Sequence, residues 1–205
     1  MTDYGQPLLE QDIDADPVRQ FATWFEQARA ADVRMPEAAA LATASADGAP
    51  SVRMVLLKGF DERGVVFFSN YASRKGQELA ANPRAALALY WDPLGRQVRI
   101  EGAVERTSAD ESADYVRSRP RGSQISALAS PQSEVIADRE TLERRVAELE
   151  QRYEQCELPL PAGWGGYRLV PDTVELWQQR HDRLHDRLRY SRGDDGGWVI
   201  ERLAP

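Results

Sequence analysis

Cysteine is nearly absent. Cys156 stands alone in 205 residues, so the chain can form neither an internal disulfide nor a thiolate metal cluster. A reducing cytoplasm is the simplest address for such a chain. Histidine is almost as scarce: His181 and His185 have no third imidazole or thiol beside them to complete a metal site, and no metal is expected. No apolar run approaches the roughly 20 residues that span a bilayer. The acidic opening MTDYGQPLLEQDIDADP also lacks the basic-then-apolar pattern of a secretory signal, so no membrane partner is expected. A net charge of −7 argues against general nucleic-acid binding, which requires a basic surface, although a cationic pocket can sit inside an acidic protein. No GxGxxG follows a strand and no GxxxxGKS/T occurs, so Rossmann and P-loop readings have no local support.

Lysine is the most informative scarcity. Lys and Arg total 26, yet only Lys58 and Lys75 are lysines. A position that keeps Lys against such a bias can require a compact ammonium rather than a planar guanidinium. Two random survivors are the plain alternative.

What is present reads as one globular domain of ordinary size, residues 16–205, preceded by a flexible N-terminal arm over residues 1–15. Asp16-Pro17 starts a helix that runs to about Val33. Apolar runs at Ala38–Ser45 and Pro50–Lys58 flank the turn Asp47-Gly48, and VVFFSN follows a second turn. Ser73 caps a short helix through Ala81, and strands at Ala85–Trp91 and Gln97–Arg106 come next. Ser108 with Glu111 forms a capping box for a helix to about Arg119, and a further helix spans about Arg139–Cys156. GYRLV, TVELWQ, LHDRLRY and WVIERL read as extended, with a terminal hairpin turning at Asp194–Gly197. Many strands joined by short turns, with peripheral helices inserted late, predict an α+β chain that is mainly β and closes into an antiparallel barrel.

Four clusters can carry chemistry. In YASRKG, Ser73 leaves free N–H groups at a helix start while Arg74 and Lys75 oppose the macrodipole there, which suits a phosphate seat or merely two solvated charges. SVRMVLLKG is apolar enough to be buried on both faces, yet it contains Arg53 and ends at Lys58. A bound phosphate or an acidic partner elsewhere in the fold would compensate them. In YVRSRPRGS, Tyr115 and Arg119 share a helical face and Ser123 follows the break at Pro120, so three groups can converge on one anion. In WQQRHDRLHDRLRY, an extended chain from Arg183 would put Arg183, His185 and Arg187 on one face, and an anion or a carboxylate must then balance them.

Taken together, RMVLLKGFDERG, SRKGQELAANPRAAL, RQVRIEGAVER, SRPRGSQIS, SPQS, WGGYR, WQ…RLHDRLRY and the ending WVIERLAP resemble the pyridoxine (pyridoxamine) 5′-phosphate oxidase family from about Asp16 to Pro205. The resemblance implies an FMN-binding split β-barrel, a homodimer holding FMN in clefts at the subunit interface. It implies oxidation of pyridoxine 5′-phosphate or pyridoxamine 5′-phosphate by O2 to pyridoxal 5′-phosphate, with release of H2O2. The family's FMN positions correspond to Arg53, Met54, Val55, Leu56, Leu57 and Lys58, then Phe68, Ser69, Arg74, Lys75, Gln97, Gln132, Ser133, Trp177 and Arg187. Its substrate positions correspond to Lys58, Tyr115, Arg119, Ser123, Arg183 and His185, the last two contacting the ring and the carbon being oxidised. Both lysines fall on motif positions. Arg53 and Lys58 have opposite parity on a regular strand, so a bulge, a twist or a second subunit is required. The family often has Gly-Ala-Trp at Ser126-Ala127-Leu128 and WQG at Trp177-Gln178-Gln179, and an Arg before the tyrosine at Tyr4. A related FMN oxidase acting on another aromatic, such as a phenazine precursor, and a flavin or pyridoxal-phosphate binding module without turnover are the competing readings. The set Lys58, Tyr115, Arg119 and Ser123 argues for a phosphorylated substrate.

Overall fold

Alternation of side chains builds the sheet. In the computed structural model, which describes residues 6–205, β1 (Ala38–Ala44) buries Ala39, Leu41 and Thr43 and turns its other residues outward. β2 (Pro50–Asp61) pairs with β1 and with β3 (Gly64–Asn70), while β4 (Arg84–Trp91) lies on the other side of β1. β5 (Arg96–Arg106) follows β4, and β6 (Trp164–Gln178) pairs with both β5 and β3, which closes a six-stranded antiparallel barrel. β7 (Asp186–Arg192) and β8 (Trp198–Arg202) extend the sheet from β6. Leu41, Phe67, Leu87, Leu89, Val98, Leu169 and Leu176 fill the interior at no more than 1% exposure. Closure leaves each barrel strand without a free edge.

Helices cover the barrel. α1 (Pro17–Ala30) starts where Asp16 accepts from the Val18 N–H, and it buries Phe21, Trp24, Phe25 and Ala28. Phe21 meets Phe60 edge-on at 4.9 Å, and Phe25 lies 6.2 Å from Trp91. α2 (Arg74–Ala81), α3 (Ala109–Ser118) and α5 (Arg139–Arg152) start on the side-chain caps Ser73, Ser108 and Asp138.

Several expectations are corrected. The Pro120 break is only a corner: Arg121–Ala129 forms a further helix, α4, whose N-cap is Pro120 itself, and its weak apolar stripe hid it. GYRLV and TVELWQ are one strand, because Pro171 sits at a bulge where Gly102 opposes it and Asp172 is left over. A Cβ on Gly102 would lie 1.9 Å from the Val170 carbonyl oxygen, so only glycine fits there. β2 is not buried on both faces of this chain: Val52 is 71% and Met54 65% exposed. They share the outer surface with Ala40, Ala42, Ala86 and Ala88, a flat apolar face of small side chains. The chain is not extended from Arg183. Asp182 and Arg183 have φ of 56° and 62° in a 3₁₀ turn (His181–Arg183), and β7 begins only at Asp186.

From Leu8 the N-terminal segment is docked rather than free. The Leu8 N–H donates to Asp186 at 3.1 Å, Arg202 donates to the Leu8 carbonyl at 2.8 Å, and the Tyr190 hydroxyl donates to the Asp14 carbonyl at 2.7 Å. Tyr4 lies outside the described residues.

Candidate active site

Three short-range rules bring the first cluster together. Arg53 alternates with the exposed Val52 and Met54, so it points inward beside Thr43 and Ser51. Gly76 lets α2 press on the end of β3, since a Cβ there would lie 2.2 Å from the Tyr71 carbonyl oxygen. Ser73 caps that helix and is fully buried, which turns Lys75 inward to 8% exposure. The Lys75 ammonium donates to Ser69 at 3.0 Å, Ser73 at 3.2 Å and Gln132 at 2.9 Å. All three acceptors are neutral oxygens. Burial, with repulsion from Arg53 added, holds this ammonium below the ordinary lysine range.

Glu78 is the group that sequence reasoning missed. It is 6% exposed and supplies the acidic partner foreseen as one alternative for Arg53. Its Oε2 accepts from Thr43 at 2.5 Å, Ser51 at 2.6 Å and Arg53 at 3.2 Å, and its Oε1 accepts from Arg74 at 2.8 Å. Burial alone would push the carboxyl up, but the four hydrogen bonds outweigh it and hold it at about 2. The i,i+4 spacing of Arg74 and Glu78 was the only signal in the sequence.

Beside this seat lies an aromatic slab. Phe68 and Tyr115 stack at 3.8 Å between ring centres, and Trp164, also missed, lies 5.9 Å from Tyr115 at an interplanar angle of 5°. The Arg119 guanidinium sits 4.7 Å above the Trp164 ring. Its Nη1 is buried and has no hydrogen-bond partner among the described residues. Burial raises the Tyr115 phenol above its ordinary range, against the pull of Arg119. Gly166 in WGGYR is required here, because a Cβ would meet Thr107 at 2.3 Å and Phe68 at 2.9 Å.

A cleft of ≈ 300 Å³ joins the two parts, lined by Arg53, Met54, Val55, Leu56 and Lys58 of β2, Phe68 and Ser69 of β3, and Lys75, Tyr115, Arg119, Gln132 and Trp164. The parity tension between Arg53 and Lys58 is resolved by a bulge: the pairing with β3 shifts register between Leu57 and Gly59. Leu57 turns into the core at 5% exposure. Arg74 reaches Glu78 from the exposed side of α2. Ser123 lies in the first turn of α4 and Ser133, at φ 76°, is exposed; neither lines the cleft.

The remaining positions form a second cluster. Gln97, Trp177 and Arg187 stand in one row across β5, β6 and β7. They alternate with the core residues Val98, Leu176 and Leu188, so they project from the outside of the barrel. Arg187 donates to Glu175 at 2.8 Å and to the Ala204 carbonyl at 2.9 Å, and the Glu175 bond raises its guanidinium further above its usual range. Glu175, 8% exposed, also takes Arg99 at 3.2 Å. The His185 ring lies 4.5 Å from Trp177, and its Nδ1 accepts from the Arg180 N–H at 3.1 Å. A neutral His185 therefore carries its proton on Nε2. Arg183 is exposed on its left-handed turn. None of these five residues lines the first cleft.

Comparison with known proteins gives consistent results. Residues 25–153 match the family model described as Pyridoxamine 5′-phosphate oxidase, and residues 164–205 match Pyridoxine 5′-phosphate oxidase C-terminal dimerisation region. The chain is 54% identical over 200 residues to a pyridoxine/pyridoxamine 5′-phosphate oxidase of Trichormus variabilis, covering 98% of this chain and 94% of the relative. Among solved structures it is similar to PhzG from Burkholderia lata 383 in complex with tetrahydrophenazine-1-carboxylic acid, at TM-score 0.93 and 36% identity, covering 99% of this chain and 100% of that one. A pyridoxamine 5′-phosphate oxidase-related FMN-binding protein from Nostoc punctiforme shares the fold at TM-score 0.71 and 19% identity, covering 94% and 100%.

Proposed function

The chain belongs to the pyridoxamine 5′-phosphate oxidase family, and from that premise we propose that it oxidises pyridoxine 5′-phosphate or pyridoxamine 5′-phosphate to pyridoxal 5′-phosphate, with FMN as cofactor and O2 as oxidant. The observation that carries the reading is positive charge left unspent at two places in one cleft. Lys75 meets only neutral oxygens, and Arg119 Nη1 meets no acceptor among the described residues. Buried cations of this kind suit two phosphates, one on the cofactor and one on the substrate.

The residues fit FMN. Arg53, Arg74 and Lys75 with Ser133 would hold its phosphate, and Phe68, Ser69, Gln132 and the strand from Met54 to Lys58 would hold the rest together with Gln97, Trp177 and Arg187. When bound, FMN supplies the hydride acceptor and its reoxidation by O2 yields H2O2. The chain's own part is binding and orientation. Lys58, Tyr115 and Arg119 of the cleft would grip the substrate phosphate, with Ser123 reaching it from the first turn of α4, while Arg183 and the Nε2–H of His185 would face the carbon that is oxidised.

The protein is a homodimer, as its dimerisation region implies. The outward row of Gln97, Trp177, Arg183, His185 and Arg187 is read as completing the cleft of the other protomer. The exposed apolar face around Val52 and Met54 supports this, since it needs a cover. No helix among the described residues is long and apolar enough to cross a membrane. The one free, exposed cysteine supports a cytoplasmic address, and residues 16–205 are read as a single FMN-binding domain.

The likeness to PhzG favours a second reading, an FMN oxidase acting on a tetrahydrophenazine carboxylic acid. Such a substrate offers one carboxylate in place of a phosphate dianion and would leave one of Lys58 and Arg119 uncompensated. Purified protein with FMN and pyridoxine 5′-phosphate or pyridoxamine 5′-phosphate in air should produce pyridoxal 5′-phosphate and peroxide together. Absence of aldehyde with flavin demonstrably bound overturns the leading reading, and turnover of the tetrahydrophenazine acid instead establishes the second.

A further inference from the structure

We propose that Glu78 is the positioning residue of the FMN phosphate seat, holding Arg53 and Arg74 in place before the phosphate arrives. The proposal rests on the reading that the cofactor phosphate binds among Arg53, Arg74 and Lys75. Glu78 belongs to α2, but three of its four donors come from β1 and β2 or reach across to them: Thr43, Ser51 and Arg53 on one oxygen, Arg74 on the other. Both oxygens are committed, and the side chain is 7% exposed, so the carboxylate is held as firmly as the barrel wall. Arg53 is tied a second time, to Thr43 and Ser51, the same hydroxyls that donate to Glu78.

Two consequences favour the phosphate. A long arginine side chain loses rotamer freedom when it grips an anion, and one already clamped has less to lose. Arg74 is 63% exposed and spends its Nε on Glu78, so the clamp fixes an otherwise free-swinging guanidinium beside that carboxylate. The local charge also matches. Arg53, Arg74 and Lys75 exceed the one carboxylate by two charges, the charge of a phosphate monoester dianion. Lys75 stays outside the clamp, on neutral oxygens.

A mere counter-ion would behave oppositely. Glu78 repels a phosphate, so if it only balanced charge, its neutralisation would tighten FMN. A positioning residue loosens FMN when it is removed, despite the repulsion relieved. The test is a fluorescence titration of the flavin-free dimer with FMN and with riboflavin, which lacks the phosphate. Glu78→Gln should weaken FMN on the order of tenfold, the worth of one charge-assisted hydrogen bond, and leave riboflavin nearly unchanged. Glu78→Asp, which keeps the charge and loses the reach, should weaken FMN similarly. If either variant melts out at the assay temperature, Ser51→Ala removes one bond to Glu78 and one from Arg53, and should lower the same FMN-to-riboflavin preference. Tighter or unchanged FMN overturns the proposal, and so does an equal loss of both flavins. A wild-type protein that binds FMN no better than riboflavin removes the phosphate seat itself, a result separate from either.

Discussion

Replacement of Arg119 by methionine separates substrate recognition from folding. Arg119 makes two visible investments, a guanidinium over Trp164 at 4.7 Å and a buried Nη1 without a partner among the described residues. Loss of the cation–π contact costs about 0.5–2 kcal/mol. Removal of a buried, unsatisfied donor returns about 1–3 kcal/mol, and methionine retains much of the packing. The two nearly cancel, so the denaturation midpoint of the substrate-free protein should hardly move. Binding is different, because a hydrogen bond to a charged phosphate is worth about 1.5–3 kcal/mol, or roughly 10- to 150-fold in kcat/KM. The assay is steady-state oxidation of pyridoxine 5′-phosphate beside pyridoxine, the same ring without phosphate. The variant should lose kcat/KM for the phosphorylated substrate only, narrowing the preference by that factor. An equal loss on both substrates would place Arg119 on the flavin or the ring, and an unchanged preference would refute its role as the phosphate anchor.

Arg183→Ala should lower kcat with little loss of FMN; a variant that purifies colourless yet folded would move Arg183 to the cofactor side. Glu78 makes stability depend on pH in the flavin-free protein: its carboxyl is lowered to about 2 from the ordinary 4.5, so the unfolded chain binds the proton more readily. Its contribution is therefore complete above about pH 4.5 and is lost as pH falls toward 2, so urea melts of wild type should show a steeper acid slope than those of Glu78→Gln, where Asp61, Asp14 and other lowered carboxyls still contribute. Met54→Asp puts a charge at the centre of the outer apolar face, and sedimentation should show monomers with an intact barrel; a dimer of unchanged stability would mean that this face is not the interface.

The parts of this molecule legible in its sequence are those set by neighbours in the chain. Ser73, Ser108 and Asp138 begin helices because a side-chain oxygen meets an N–H three residues on, and that requirement is local. The retained Lys75 was informative for the same reason, since its depth follows from the cap beside it and from Gly76. Contacts made across the fold were not legible. A glutamate four residues after an arginine reads as a surface pair, yet Glu78 lies under β1 and β2 and carries four hydrogen bonds. Trp164 stands in the sequence only as the first residue of WGGYR, and the stacking of Phe68 and Tyr115 beside it makes it a wall of the cleft. The alternation of Arg183, His185 and Arg187 failed because two left-handed residues end any strand, and neither Asp182 nor Arg183 announces that conformation. Glu175 repeats the lesson on the outer row: it is buried and takes Arg187 and Arg99 just as Glu78 takes Arg53 and Arg74. Each half of the site thus pairs arginines with a buried carboxylate to which the resemblance assigns no role. On the proposed reading the arginines carry the charge that meets the ligand, while the carboxylates determine where that charge stands.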